Sequence, residues 1–169
     1  FDRRLKFLIN GDSNVNKFYK EYFSCILSYS AMSIPEIADD YYQIDDAIRT
    51  GYAWSYGPFE IWDNLGIEIG IEMIKSCGEE VPSWITDMSA YGAESFYKFE
   101  DGKKKFYDVN SKKYINVPSS QNHYILDAFR ENKQILRNPE CTVHDIGDGV
   151  MCIEFQTKGN SIGEGIAKG

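Results

Sequence analysis

A chain of 169 residues, 43% hydrophobic and 15% aromatic, has length for one ordinary domain plus an appendage and enough apolar weight for a core, which excludes wholesale disorder. Its net charge of −8 argues against nucleic acid or an anionic membrane as partner, since both select basic surfaces. No apolar run approaches bilayer length, and no charged-then-apolar leader opens the chain, which starts at Phe1 and reads as an excised piece of a longer protein. Phe1 to Gly11 reads as a basic connecting segment in which Leu5, Leu8 and Ile9 are available for docking. Asp12 or Ser13 can cap the next helix. Val15, Phe18, Tyr19, Tyr22, Phe23, Ile26 and Leu27 recur at spacings of three and four, which predicts the longest helix, from about Asn14 to Ser33. That stripe is wider than a small bundle needs, so part of it is expected to be exposed. Pro35 disfavours the helical region for Ile34 and restarts the chain in a short turn of helix through Ala38.

Ile44, Ala47 and Ile48 then form one apolar face, with Asp45 and Asp46 in the first turn, where carboxylates favour the helix dipole. Gly51 is expected to stop this helix as its C′ residue. Gly57-Pro58 begins the next one. Proline at N1 gives up a donor that has no partner there, and Glu60 at N3 can reach back as a capping acid. Phe59 and Trp62 share one face, Ile61 and Leu65 an adjacent one, and Gly66 closes the helix. If Gly57 has positive φ, a β-branched residue there costs on the order of 1 to 3 kcal/mol. Ile67, Ile71 and Ile74 keep a helical face until Gly78, and Pro82 can open a last helix with Trp84, Ile85 and Met88 inward, toward Ala90. Successive helices with no strand signal between them point to a mainly α, orthogonal bundle.

The pattern changes after Tyr91. Phe96 to Phe99 and Lys105 to Val109 are rich in strand formers and flank Asp101-Gly102, a hairpin turn; Tyr114 to Val117 follows the Asn110 to Lys113 turn as a third strand. This small antiparallel meander should pack an aromatic edge on the bundle. Lys103-Lys104-Lys105 reads as a solvated hairpin tip rather than a phosphate clamp. Pro118-Ser119-Ser120 opens a linker, and Tyr124 to Arg137 reads as a helix with Ile125, Phe129 and Leu136 apolar, ended by Asn138-Pro139. Period two then returns, with Val143, Ile146, Met151, Ile153 and Phe155 on one face of a C-terminal hairpin across Gly147-Asp148-Gly149.

Little here has the spacing of reactive chemistry. Cys25, Cys77, Cys141 and Cys152 are scattered, which suits reduced thiols in a cytoplasmic protein, and with His123 and His144 they make no ligand cluster, so no metal site is expected. Glu36, Asp39, Asp40, Asp45 and Asp46 read as a solvated helix-start cluster. A self-contained enzyme built on that cluster is a rival reading. Gly159, Gly163, Gly165 and Gly169 lack the spacing of a dinucleotide-binding turn and read as a flexible terminus, so no cofactor-binding residue is expected. Trp54, Tyr56, Phe59 and Trp62 could hold an acyl chain, but packing in a core or domain interface is favoured.

One stretch carries a family signal. Ile44-Asp45-Asp46-Ala47-Ile48-Arg49, Gly51, Trp54 and Gly57-Pro58-Phe59-Glu60-Ile61-Trp62-Asp63-Asn64-Leu65-Gly66, preceded by Ile34 to Asp40, resemble the helical C-terminal domain of 3-hydroxyacyl-CoA dehydrogenases. More narrowly, they are similar to the second, degenerate copy of that domain in multifunctional fatty-acid oxidation proteins. The resemblance covers roughly Asn14 to Pro118 and implies a bundle of the 6-phosphogluconate dehydrogenase C-terminal-like type. From Thr142 the chain resembles the opening hairpin of the enoyl-CoA hydratase (crotonase) family, with Lys158 to Gly163 in place of its Lys-x-Asn-Ala loop. The implied organisation is a linker over 1–13, a helical domain with its meander over 14–118, a helical linker over 119–140, and a truncated hydratase hairpin over 141–169.

The resemblance implies a parent that oxidises L-3-hydroxyacyl-CoA with NAD after hydrating enoyl-CoA. The family's catalytic histidine and glutamate belong to its NAD-binding domain, outside this sequence. Its helical asparagine has no counterpart here, because the aligned neighbourhood is Lys20-Glu21-Tyr22-Phe23. No catalytic residue is therefore carried over. The implied partners are the upstream helical copy and NAD-binding domain of the same polypeptide and the acyl-CoA substrate, with a homo-dimer expected for the excised piece. A free-standing helical interaction module is the alternative.

Overall fold

The computed structural model describes residues 2–100, 103–118, 126 and 134–168. The chain divides into two units, Phe1–Tyr97 with Phe106–Ile115 and Lys98–Lys105 with Asn116–Gly169. The first contains helices α1 (Asp2–Ile9), α2 (Asn14–Met32), α3 (Tyr41–Tyr52), α4 (Pro58–Leu65), α5 (Ile67–Ser76) and α6 (Ser83–Ala90). A meander of β1 (Tyr97–Glu100), β2 (Lys103–Asp108) and β3 (Lys113–Asn116) comes next in that strand order, the chain passing from one unit to the other within its strands.

Helix α4 is the centre of the first unit. Pro58, Phe59, Ile61, Trp62 and Leu65 are all buried, so both of its apolar faces are used. Ile67, Ile71 and Ile74 of α5 and Ile85 and Met88 of α6 pack inward, as their spacing predicts. Helix α2 turns small residues inward, Ser24, Ser28, Ser30 and Ala31 around Leu27, and these allow close approach to α5. Ser28 Oγ donates to Glu80 O at 2.6 Å, and Trp84 Nε1 donates to Ala31 O at 3.2 Å. The aromatic edge of the meander joins the core: Tyr41 lies 5.0 Å from Phe59, 5.3 Å from Phe96 and 5.7 Å from Phe106 between ring centroids. Its hydroxyl donates to Phe96 O at 2.6 Å and accepts from Tyr107 N at 2.7 Å, pinning β1 to β2. Burial pushes the Tyr41 hydroxyl well above its ordinary pKa, which keeps it a donor.

Several expected boundaries move. Residues 2–9 are a helix rather than a connector, because Leu5 and Ile9, four apart, are both buried. The stretch after α2 forms turns, not a helical turn, and Ile37 is exposed. Helix α3 starts at Tyr41, where Gln43 Oε1 accepts the Asp40 N–H at 3.2 Å, so Asp45 lies beyond its first turn. The buried face of α3 is Tyr41 with Asp45, whereas Ile44 and Ala47 line a 470 Å³ groove with residues 35–39. Gly51 lies inside α3; the left-handed residue that ends the helix is Ala53, at φ 54°. Lys104 is buried rather than solvated, and Lys105 pairs with Glu100.

In the second unit β4 (Gln134–Arg137), β5 (Cys141–Gly147) and β6 (Val150–Phe155) form an antiparallel sheet in that order. Cys141 faces Phe155, Val143 faces Ile153 and His144 faces Cys152. Asp148 and Gly149 make the turn with φ of 53° and 74°, the double left-handed geometry that matches strand twist. The expected helix from Tyr124 is corrected at its end: Gln134–Arg137 is a strand, because the Asn138 side chain accepts the N–H groups of Glu140 and Cys141 and folds the segment back along β5. The sheet therefore starts before residue 141. Most of the rest of that expected helix, like the Asp101-Gly102 turn, lies outside the described residues. The glycine-rich end is also ordered into a short helix, α7 (Glu164–Lys168), held by Glu140 Oε2 accepting from Gly165 N at 2.9 Å and Asn138 Nδ2 donating to Gly165 O at 2.8 Å.

Candidate functional site

The signature residues converge on the N-terminus of α4. An isolated helix leaves its first four N–H groups without partners. Here two of them are met from another helix: the buried Asp45 carboxylate accepts Phe59 N at 2.9 Å through Oδ1 and Glu60 N at 3.0 Å through Oδ2. Glu60 reaches back as its position predicts, Oε2 accepting from Gly57 N at 2.8 Å. Tyr97 Oη donates to Asp45 Oδ2 at 2.8 Å. Burial and then the Asp45 charge hold the Tyr97 hydroxyl well above its ordinary pKa, so it remains a neutral donor. At the rim, Arg49 meets Glu60 at 3.3 Å.

Gly57 is required for space, not for conformation. Its φ of −78° and ψ of 172° suit any residue, which corrects the expectation tied to a positive φ. A Cβ built there would lie 2.4 Å from Asp45 Cγ and 2.5 Å from its Cα. Gly66, at φ 98°, is the glycine whose conformation matters, since it breaks α4 from α5. Trp62 lies buried beside it and donates from Nε1 to Ile67 O at 3.1 Å. Asp63 completes the arrangement: its carboxylate accepts from Phe96 N at 2.6 Å and Tyr97 N at 2.9 Å, so α4 holds the entry to β1.

Asp45, Gly57, Pro58, Phe59, Glu60, Trp62, Asp63 and Gly66 thus form one framework, while Ile44, Gly51 and Trp54 stand apart from it. The aromatic set divides as well. Phe59 and Trp62 are core, whereas Trp54 and Tyr56 line an open cleft of 660 Å³ with Tyr22, Phe23 and Arg4. Sequence reasoning misses the roles of Asp63 and Tyr97. Helix α4 reads Pro-Phe-Glu-Ile-Trp-Asp-Asn-Leu, and Asp63, set between the buried Trp62 and Leu65, is an acid too late in the helix to cap it; that is the available signal.

Elsewhere the ionisable groups are engaged in local structure. Asp39, Asp40 and Asp108 line a 220 Å³ hollow with Tyr41, Trp84 and Tyr107. Burial, then the charges of Asp108 and Asp39, raise the Asp40 carboxyl above its ordinary pKa. Asp108 holds its own turn through the N–H groups of Asn110 and Ser111, and the hydrogen bond from Ser111 lowers its pKa. In the second unit the buried His144 contacts Glu154, Nε2 to Oε2, at 3.1 Å. All four cysteines are free thiols. Among the described residues, no three of His, Cys, Asp and Glu come together as metal ligands.

The glycine-rich end does not fit a dinucleotide. The Gly165 amide already donates to Glu140, and a Cβ at Gly163 would fall 2.5 Å from the same carboxylate. That charge would repel a pyrophosphate where a binding turn must welcome one.

Comparison with known proteins points to enzymes of fatty acid oxidation. The chain is 35% identical, over 95% of its length, to a Bacillus subtilis protein named "Probable 3-hydroxyacyl-CoA dehydrogenase", of which it covers 20%. It is 26% identical, over 94% of its length, to a Rickettsia prowazekii protein named "Putative fatty acid oxidation complex trifunctional enzyme", of which it covers 19%. A Rickettsia felis protein with the same name is 39% identical over 32% of the chain, which covers 8% of it. The chain therefore spans about a fifth of the length of the curated relatives that it matches over nearly all of its own. No family model and no solved structure matches it. Homology thus runs through the whole sequence to a segment of proteins carrying the names of 3-hydroxyacyl-CoA dehydrogenase and of fatty acid oxidation enzymes.

Proposed function

We propose that this chain is a noncatalytic piece of a 3-hydroxyacyl-CoA dehydrogenase, the second and degenerate helical copy followed by the start of a crotonase-like hydratase domain. The parent reaction is NAD-dependent oxidation of L-3-hydroxyacyl-CoA to 3-ketoacyl-CoA, after hydration of enoyl-CoA. NAD binds a domain other than this one. The piece pairs with the upstream helical copy and walls the acyl-CoA cleft. The observation that carries this reading is the use made of the carboxylate that lies deepest among the described residues. Asp45 is filled by two helix amides and one tyrosine hydroxyl, which makes it a tie between α3, α4 and β1 rather than a proton carrier facing substrate. The relatives support the choice of parent over a free-standing interaction module.

The test is direct. The purified chain, given NAD and L-3-hydroxybutyryl-CoA or crotonyl-CoA, is expected to turn over neither; measurable reduction of NAD would overturn the noncatalytic assignment. Reading the coding sequence on both sides tests the parent, which requires a nucleotide-binding domain upstream and a hydratase domain downstream.

A further inference from the structure

The sheet of the second unit buries a histidine that its own fold does not satisfy. His144 of β5 is fully buried, and its Nε2 lies 3.1 Å from Glu154 Oε2. An ionised carboxylate only accepts, so Nε2 carries the ring proton and Nδ1 is left with a bare lone pair. That nitrogen has no hydrogen-bond partner, although a buried polar atom nearly always finds one. Thr142 Oγ1, two residues back and so on the same face of β5, is buried and unpartnered as well. Two unmet polar groups on one strand face do nothing for stability. A histidine held by a carboxylate, with its other nitrogen open, is instead the arrangement of a general base.

Strand register supplies the group that such a base serves. Cys152 of β6 is the direct partner of His144, and Glu154 is the partner of Thr142, so all four side chains lie on one face of the β5–β6 ladder. Directly opposed residues hold their Cβ atoms about 4.5–5.5 Å apart. Nδ1 is the ring nitrogen nearer the backbone, so rotation about the Cα–Cβ bond of Cys152 carries its Sγ toward Nδ1 while Nε2 stays on Glu154. Cys152 is a free thiol and half-buried, whereas His144 is sealed from solvent. A small reagent can therefore reach the sulfur from the open side, with the imidazole behind it. Cys141, on the same strand as His144, faces Phe155 and has no such base opposite.

We propose that Cys152, His144 and Glu154 form a thiol-exchange site at which Cys152 captures small disulfides. In the step, Cys152 Sγ attacks one sulfur of the incoming disulfide and its proton passes to His144 Nδ1. The new S–S bond forms as the old one breaks, and the departing sulfur takes the proton from the ring. The products are a mixed disulfide at Cys152 and one free small thiol: Cys152 is oxidised, one half of the reagent is reduced, and no proton is gained or lost. Glu154 is a positioning residue, which holds the ring by Nε2 and steadies the imidazolium while it lasts. The site lies wholly in the second unit and is independent of the parent reaction proposed above.

The purified native chain is treated with glutathione disulfide, and its peptides are followed over time by mass spectrometry. Glutathione is expected on Cys152 about tenfold or more faster than on Cys25, although Cys25 is the more exposed thiol. His144→Gln should bring Cys152 down to the rate of Cys25. In His144→Gly, added imidazole should restore part of the rate, which a merely structural histidine would not allow. Glu154→Gln should slow the exchange severalfold and Glu154→Asp recover part of that loss. Should these variants lose their fold by circular dichroism, the order of reaction in the wild-type chain still decides. Cys152 reacting no faster than Cys25 there would overturn the proposal. A folded His144→Gln variant in which Cys152 stays fast would equally overturn it, as would a preference for Cys152 that persists in the chain unfolded by urea, where the register is gone.

Discussion

Replacing Gly57 with alanine should destabilise the chain by about 2–4 kcal/mol, through one steric event and the hydrogen bonds that depend on it. The added Cβ meets Asp45 Cγ and Oδ1 at 2.4 Å and its Cα at 2.5 Å, where ordinary contact begins near 3.4 Å. The side chain cannot simply swing aside, because the backbone of α3 is in the way as well. Helix α3 must retreat from α4 by about an ångström, and that movement stretches the carboxylate away from Phe59 N, Glu60 N and Tyr97 Oη together. Hydrogen bonds to a charged group contribute about 1.5–3 kcal/mol each, so partial loss of three accounts for the figure. Urea unfolding is the assay, with an unchanged m value showing that the native state stays compact. Asp45→Ala should cost a similar amount, since it strands a buried amide and a buried hydroxyl. The two changes remove the same contacts, so the double variant should fall short of their sum by at least about 1 kcal/mol. A Gly57→Ala variant within about 0.5 kcal/mol of wild type would refute the clash and the role given to Asp45.

Two further outcomes concern α3 and the buried tyrosines. Gly51→Ala should be neutral or stabilising by about 0.5–1 kcal/mol, because the residue lies within α3 with nothing within 4 Å of its would-be Cβ; clear destabilisation by urea would restore the helix-stop reading. Above pH 10.0 an unfolded tyrosine gives up its proton while Tyr97 and Tyr41, raised by burial, keep theirs, so stability present below that pH falls as pH rises by up to about 1.4 kcal/mol per pH unit for each. Tyr97→Phe should be less stable at neutral pH yet lose its own share of the alkaline slope, up to about 1.4 kcal/mol per pH unit, while Tyr41, Tyr42 and Tyr107 keep theirs; an unchanged slope in alkaline urea titrations would show that Tyr97 ionises freely in the folded chain.

The features legible in the sequence are those whose cause is local. Pro58 at N1, Glu60 at N3 and the 67, 71, 74 spacing state their helices within a turn or two of chain, and α4 and α5 lie where those signals place them. Asp148-Gly149 is equally explicit about its turn. Asp45 is misleading because its partners are fourteen and fifteen residues away: propensity assigns an early acidic residue to its own helix, and only the tertiary arrangement hands it to the next one. Gly51 misleads for a related reason. Glycine is the expected left-handed residue, but Ala53 accepts that strain, so the nearest glycine is not the helix end. Residues 134–137 carry a helix-like pattern that pairing with β5 overrides. Asp63 and Tyr97 give no spacing signal at all, since the ties they make cross more than thirty residues.

The central claim is that this chain contributes structure, not chemistry, to a 3-hydroxyacyl-CoA dehydrogenase. The measurement that meets it most directly is NAD reduction with L-3-hydroxybutyryl-CoA by the parent polypeptide truncated to remove this segment, before and after the purified chain is added back. The expected result is little activity from the truncated parent, none from the chain, and a rate restored in proportion to added chain until binding saturates. Turnover by the chain alone, or a truncated parent as fast as the intact one and indifferent to the addition, would contradict it.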